Sequence, residues 1–328
     1  MTEFWNDTPR LETRMRVVES ILVDAMQDPS YPLARETSDL ILSGGKMLRP
    51  ALVMIGAGFD RRKRRSARED QRIAHVAAAI EILHTATLIH DDILDEAGFR
   101  RGIPALHTKH GVANAILAGD WLFSRSFRLV ADYADIKSAR ILSRLVGSVC
   151  SAEIRQDLGK FSYRASKRDY LRTIAGKTAA LFSLSLHVGA SEAKVDPFTT
   201  QQLRRIGYDI GMAFQIIDDI LDYESDGQTL KKPVGNDLKE GLCTLPLILA
   251  LQKNEAGIRP MLAPGRPLSD SEISSIIARV SASGAVEEAR TLARRYTDRA
   301  LSAMANLPEC EARCELDALI RKLILRKY

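Results

Sequence analysis

Asp91, Asp92 and Asp95 stand together in the run Asp91-Asp92-Ile93-Leu94-Asp95, just after the apolar stretch Ala86–Ile89. On a helix Asp91 and Asp95 are i,i+4 neighbours, and ionised like charges at that spacing oppose the helix by a few tenths of a kcal/mol, about 0.2–0.5. A divalent cation removes that conflict. Oxygen ligands with no His or Cys beside them suit Mg²⁺ or Mn²⁺, and Mg²⁺ typically joins a few carboxylates to substrate phosphates. The same letters recur as Asp218-Asp219-Ile220-Leu221-Asp222, with Gln215 three residues earlier. Gln215, Asp218, Asp219 and Asp222 fall at i, i+3, i+4 and i+7, one polar stripe on an otherwise apolar helix. A lone DDxxD is weak evidence, because acidic helix faces are common. Two identical copies in apolar surroundings point to a metal-bridged anion site.

Cations answer the aspartates at turns. Lys46 and Arg49 lie three apart in Gly44-Gly45-Lys46-Met47-Leu48-Arg49-Pro50, and Arg100-Arg101-Gly102-Ile103-Pro104 reads as a rigid turn with two guanidinium groups. Guanidinium groups grip phosphate oxygens bidentately. Lys231-Lys232-Pro233 follows the second cluster. His84 precedes Asp91 by seven residues, so the two share a helix face; on spacing alone, ligand and core histidine remain equal readings. Gly176-Lys177-Thr178 mimics the end of a P-loop, but Leu171 occupies the place of the glycine that motif needs. An EF-hand beginning at Asp222 fails at its twelfth position, which is Pro233. One anion site bridged by metal and one purely basic site fit two phosphorylated substrates and a carbocation-prone reaction.

The elements that must carry these residues are helical. Apolar residues recur at three and four through Ile73–Ile93, Asn114–Tyr133, Ala139–Leu158, Tyr170–Val188, Thr199–Asp222 and Leu245–Leu251. Breaks fall at Gly44-Gly45, Gly98–Pro104, Glu192–Pro197, Ser225–Gly235 and Asn254–Asp270, and strand-like alternation is missing. Length suggests two domains. The chemistry needs residues from both halves, so one large helical domain over residues 1–328 is expected.

The motifs GGKMLRP, EILHTATLIHDDILDEAGFRRGIPALHTKHG, GDWLFSRSF, GKTAALF and GMAFQIIDDILDYESD…KKPVGNDLKEG…TLPL resemble the polyprenyl synthetase family of trans-isoprenyl diphosphate synthases. The match runs from about Gly44 to Leu251 in order and spacing. The resemblance implies an all-α fold, a single large bundle around a deep central cavity, and a homodimer. It implies a prenyltransferase that joins isopentenyl diphosphate to an allylic diphosphate with three Mg²⁺. Asp91, Asp95 and Asp218 would hold the metal, and Asp92, Asp219 and Asp222 would support the cluster. Lys46, Arg49, His84 and Arg101 match the isopentenyl diphosphate site. Arg100, Lys177, Thr178, Gln215 and Lys232 match residues that hold the allylic diphosphate. Two departures bear on that second site: Lys231 replaces a common Gly, and Leu242 replaces a common Lys.

Product length follows from the helix before Asp91. One turn rises about 5.4 Å, close to one isoprene unit, and the positions one turn back are Ala86 and Thr87. Short-chain relatives commonly carry a bulky aromatic there. Both residues are small here, as are Ala77, Ala78 and Ala79, so the tunnel is expected to admit six or more isoprene units, with Phe127 as candidate floor. A short-chain farnesyl or geranylgeranyl synthase, or a subunit of a heteromeric synthase, stands as the alternative. A terpene cyclase would lack the basic site, and a non-catalytic partner would lose metal aspartates.

Composition narrows the rest. The 328 residues are 45% hydrophobic and 27% charged, with net charge +5, which excludes disorder. The run Arg61-Arg62-Lys63-Arg64-Arg65 reads as a solvated loop, leaving room for weak attraction to an anionic membrane surface; no nucleic-acid partner is expected. Four scattered cysteines imply a reduced, cytoplasmic protein. Its apolar stretches are too short for a transmembrane segment.

Overall fold

The computed structural model describes residues 3–5, 7–42, 45–62, 65–224, 234–253, 257–262 and 265–324. In chain order these form α1 (Pro9–Met26), α2 (Ala34–Leu42), α3 (Leu48–Ala57), α4 (Ala67–Leu94), two-residue strands β1 (Phe99–Arg100) and β2 (Ile103–Pro104), α5 (Leu106–His110), α6 (Val112–Tyr133) and α7 (Ile136–Leu158). There follow α8 (Lys167–Ile174), a π-helical turn over Ala175–Ala179, α9 (Ala180–Glu192), α10 (Pro197–Glu224), α11 (Asn236–Lys239), α12 (Leu245–Gln252), α13 (Asp270–Ala282), α14 (Ala285–Met304) and α15 (Glu311–Ile324). Of the described residues, 77% are helical. The all-α expectation holds, with one antiparallel β1–β2 pair among the described residues.

Two compact units make up the chain, each discontinuous in sequence. In the first, α4 packs against α6, α3 and α1. Ser66 starts α4 with a reciprocal cap: its hydroxyl accepts from Glu69 N, and the Glu69 carboxylate accepts from Ser66 N. That satisfies two of the amides a helix start leaves open. By length and composition α4 could cross a membrane, correcting the reading that every apolar stretch is too short. However, 72% of its most apolar window is buried among its neighbours, as in a core helix. Gly56 on α3 and Gly189 on α9 let those helices cross backbone to backbone. A Cβ on either would collide with the other helix's carbonyl, at Leu186 and Val53 respectively.

Arg61, Arg62 and Arg65 lie in an irregular loop as expected, with Arg61 and Arg62 exposed, and the loop is also held by ion pairs. Arg62 pairs with Asp60 and Glu69, and Arg65 with Asp70 at 2.8 Å, so both are tied into the cap of α4. Lys63 and Arg64 lie outside the described residues.

In the second unit Tyr170, Ile174, Met212, Ile216 and Ile220 share a core with residues of α12, α13 and α14. Ser166 and Ser269 cap α8 and α13 in the same reciprocal way as Ser66.

Candidate active site

Both aspartate runs end long helices. Asp91 lies in the last turn of the 28-residue α4 with Asp95 as its C-cap, and Asp218 and Asp222 lie near the end of the 28-residue α10. A helix C-terminus carries partial negative charge, so carboxylates there are disfavoured by about 0.3–1 kcal/mol each. The placement is costly to the fold and therefore argues for a function.

In the first unit Asp91 and Asp95 are half-buried and Asp92 is buried. Asp92 Oδ1 accepts from Arg100 Nε at 2.7 Å and from Arg100 Nη2. Burial raises the Asp92 carboxyl pKa against the pull of Arg100. Arg100 ends β1, and the turn that follows has positive φ at Arg101 and Gly102, 53° and 81°. Two positive φ values at the centre of a hairpin match the type I′ turn. The turn carries the Arg101 guanidinium back over Gly45, where an added Cβ would lie 2.7 Å from Nη1.

Arg101, Arg49, His84 and Glu81 then form one electrostatic neighbourhood. Burial lowers Arg49 to about 10, opposed by Glu81. Burial also raises Glu81, opposed by Arg49 and Arg101. His84 is pushed well below 6.5 by burial and then by Arg49, Arg101 and Arg100. It is therefore neutral near pH 7, a hydrogen-bonding group and not a cation. Lys46 precedes the start of α3 and Arg49 is its second residue, so helix amides add to the attraction for an anion. Glu81 drew no role from the sequence. Its signal was a carboxylate one turn before His84 in an apolar run.

In the second unit Asp219 is buried, with both oxygens engaged. Tyr170 Oη donates to Oδ2 at 2.6 Å and Gln215 Nε2 to Oδ1 at 2.9 Å. Thr178 Oγ1 in turn donates to Gln215 Oε1 at 2.6 Å. Asp222 accepts from the amides of Asn236 and Asp237 at 3.1 and 3.0 Å, tying α10 to α11. Lys177, in the π-helical turn, pairs with Glu153 at 2.9 Å. Asp218 is exposed. Lys232 falls outside the described residues.

Asp92 and Asp219 are thus buried and hydrogen-bonded, Asp91, Asp95 and Asp222 are half-buried, and Asp218 is exposed. Asp237 is a further acid that the sequence reading did not single out. It is half-buried beside Asp219, Asp222 and Glu240; burial first and then those carboxylates raise its pKa well above 3.8, and its buried Oδ2 has no hydrogen-bond partner among the described residues.

A divalent cation fits this donor set. An all-oxygen, like-charged cluster with an orphaned buried carboxylate oxygen is what a hard cation relieves. Among the described residues no three such side chains already converge on one metal position, so substrate oxygens would have to complete any coordination.

The family model described as Polyprenyl synthetase matches residues 32–280. The chain belongs to the polyprenyl synthetase family. It is 35% identical over 316 residues to heptaprenyl diphosphate synthase component 2 of Geobacillus stearothermophilus, covering 96% of this chain and 95% of that protein. A crystal structure of heptaprenyl diphosphate synthase from Staphylococcus aureus superposes with TM-score 0.90 at 32% identity, covering 97% and 99% of the two chains. A geranylgeranyl pyrophosphate synthase from Lactobacillus brevis superposes with TM-score 0.91 at 33% identity, covering 99% of each. The helical bundle expected from the motifs is the fold these family members share.

Proposed function

We propose that this chain is a Mg²⁺-dependent trans-polyprenyl diphosphate synthase that adds isopentenyl diphosphate to an allylic diphosphate, giving a product of six or more isoprene units. The observation that carries the reading is the placement of both DDxxD runs at the C-terminal ends of 28-residue helices, with one carboxylate of each run buried and hydrogen-bonded. Asp91, Asp95 and Asp218 would bind metal on the allylic diphosphate. Arg100, Lys177, Thr178, Gln215 and Lys232 would hold that diphosphate. Lys46, Arg49, Arg101 and neutral His84 would hold isopentenyl diphosphate. Three bound Mg²⁺ would neutralise charge on the departing diphosphate. Arg100 anchors Asp92 and so fixes the end of α4, while the Thr178–Gln215–Asp219–Tyr170 chain fixes the face of α10. The basic residues draw charge off the leaving group in a site arranged beforehand. The allylic cation is then attacked by the isopentenyl double bond, and the proton lost goes to the released diphosphate.

Small residues support the longer product: Ala86 is fully buried, Thr87 half-buried, and Ala77, Ala78 and Ala79 are buried without bulk. Phe127 is 45% exposed and stacks on Phe123 at 6.3 Å, so as a floor it needs cover from a second chain. Exposed Ile116 and Leu117 on the same helix favour such cover and with it a homodimer. A cytoplasmic location suits water-soluble diphosphate substrates. The test is incubation with Mg²⁺, isopentenyl diphosphate and geranyl or farnesyl diphosphate, followed by product mass; absence of any elongated product refutes it.

The relative named component 2 favours a second reading, a catalytic subunit that requires a partner. Purified chain that elongates primers alone excludes it.

A further inference from the structure

Lys46 is held by the far end of its own unit. The indole Nε1 of Trp5 donates to the Lys46 carbonyl at 3.0 Å, and Trp5 is 2% exposed. The Lys46 ammonium sits over the Phe4 ring, 5.3 Å from its centroid, and Phe4 packs edge-on against Trp5 at 4.7 Å. Trp5 is anchored in its turn: its carbonyl accepts from Thr8 N at 2.9 Å and Thr8 Oγ1 at 3.0 Å, at the start of α1. α1 then buries Leu11 and Met15 completely.

The anchored carbonyl is next to a strained residue. Met47 has φ 47°, a left-handed conformation that a non-glycine residue keeps only where its surroundings impose it. Met47 is the residue before α3 and separates Lys46 from the helix that carries Arg49. A buried indole N–H seeks an acceptor, and here the acceptor is the peptide whose orientation sets where Lys46 leaves the backbone.

We propose that Trp5 is a positioning residue for isopentenyl diphosphate binding, fixing through its indole N–H the backbone from which Lys46 reaches the diphosphate. The proposal rests on the assignment of Lys46 to that site. It predicts a selective defect, because nothing in this contact touches the allylic side.

The test is steady-state kinetics with Mg²⁺ and both substrates varied. Trp5→Phe keeps the ring and loses the N–H; the KM for isopentenyl diphosphate rises about threefold to tenfold, as for loss of one hydrogen bond of ordinary strength. The allylic KM and kcat stay within about twofold, well under the roughly tenfold of one hydrogen bond. Thr8→Val, which loosens the Trp5 carbonyl and leaves the indole, moves the same KM by less and guards against a Trp5 variant that fails to fold. In a Lys46→Ala background Trp5→Phe adds little. Full additivity, or an unchanged isopentenyl diphosphate KM in Trp5→Phe while Lys46→Ala raises it, overturns the proposal and leaves the site reading intact. An unchanged KM in Lys46→Ala overturns the site reading itself.

Discussion

Replacing Tyr170 by Phe tests whether Asp219 is an internal support. The hydroxyl is buried and lies 2.6 Å from Asp219 Oδ2, a short bond to a buried carboxylate. Hydrogen bonds to charged groups contribute about 1.5–3 kcal/mol. Asp219 keeps its second bond, from Gln215 at 2.9 Å, so the loss stays within that range. At about 2–4 °C per kcal/mol for a domain of up to 250 residues, this corresponds to a fall of roughly 3–12 °C in metal-free Tm. The catalytic consequence runs through Gln215, whose other end binds Thr178 at 2.6 Å. With Asp219 free to turn, Gln215 and Thr178 lose their fixed positions, and the allylic KM rises while the isopentenyl diphosphate KM does not. Circular dichroism melts and two-substrate kinetics measure both effects. A Tm within 1 °C of the parent, roughly a tenth of the largest expected fall, together with an unchanged allylic KM would refute the role given to Asp219.

Asp91→Ala or Asp218→Ala is expected to lower turnover by orders of magnitude, since each removes a carboxylate that binds metal at the leaving group, and metal-free melts should be unchanged or slightly higher. Asp237→Asn should raise metal-free Tm, by an amount that grows as pH rises above the ordinary carboxyl value of 3.8. The folded-state pKa of Asp237 lies above its ordinary 3.8, so the proton it binds stabilises the fold at low pH and that contribution is lost as pH rises. A Tm difference that shrinks with pH contradicts this. Ala86→Phe should shift product mass to short chains and Phe127→Ala should lengthen them; a parent enzyme that stops at the farnesyl stage defeats the tunnel argument.

Much of the helical framework was legible. Periodicity over Ile73–Ile93, Asn114–Tyr133 and Thr199–Asp222 anticipates α4, α6 and α10 within a few residues, because each helix must turn an apolar stripe inward. The twin aspartate runs and the arginine turn were legible for the opposite reason: charges in apolar surroundings need a partner. Trp5, Tyr170 and Glu81 were not read. A side chain that bonds a distant carbonyl, as Trp5 does at Lys46, leaves no spacing signal. Tyr170 counts as apolar in any periodicity. Glu81 shows only as one charge on the buried face of α4, and its opposing guanidinium groups come from α3 and from the hairpin turn after β1.

The duplicated runs also show why adjacent aspartates divide their work. Neighbours on a helix point about 100° apart, so Asp92 diverges from Asp91, and Asp219 from Asp218. One residue of each adjacent pair must turn into the protein. There an ionised carboxylate survives only with donors. The donors differ in kind: Arg100 from a hairpin turn for Asp92, Tyr170 and Gln215 for Asp219. The same five letters are therefore held by unrelated surroundings. What the two sites share is set by helix geometry alone. Asp222 adds a third solution, spending its oxygens on the amides that begin α11.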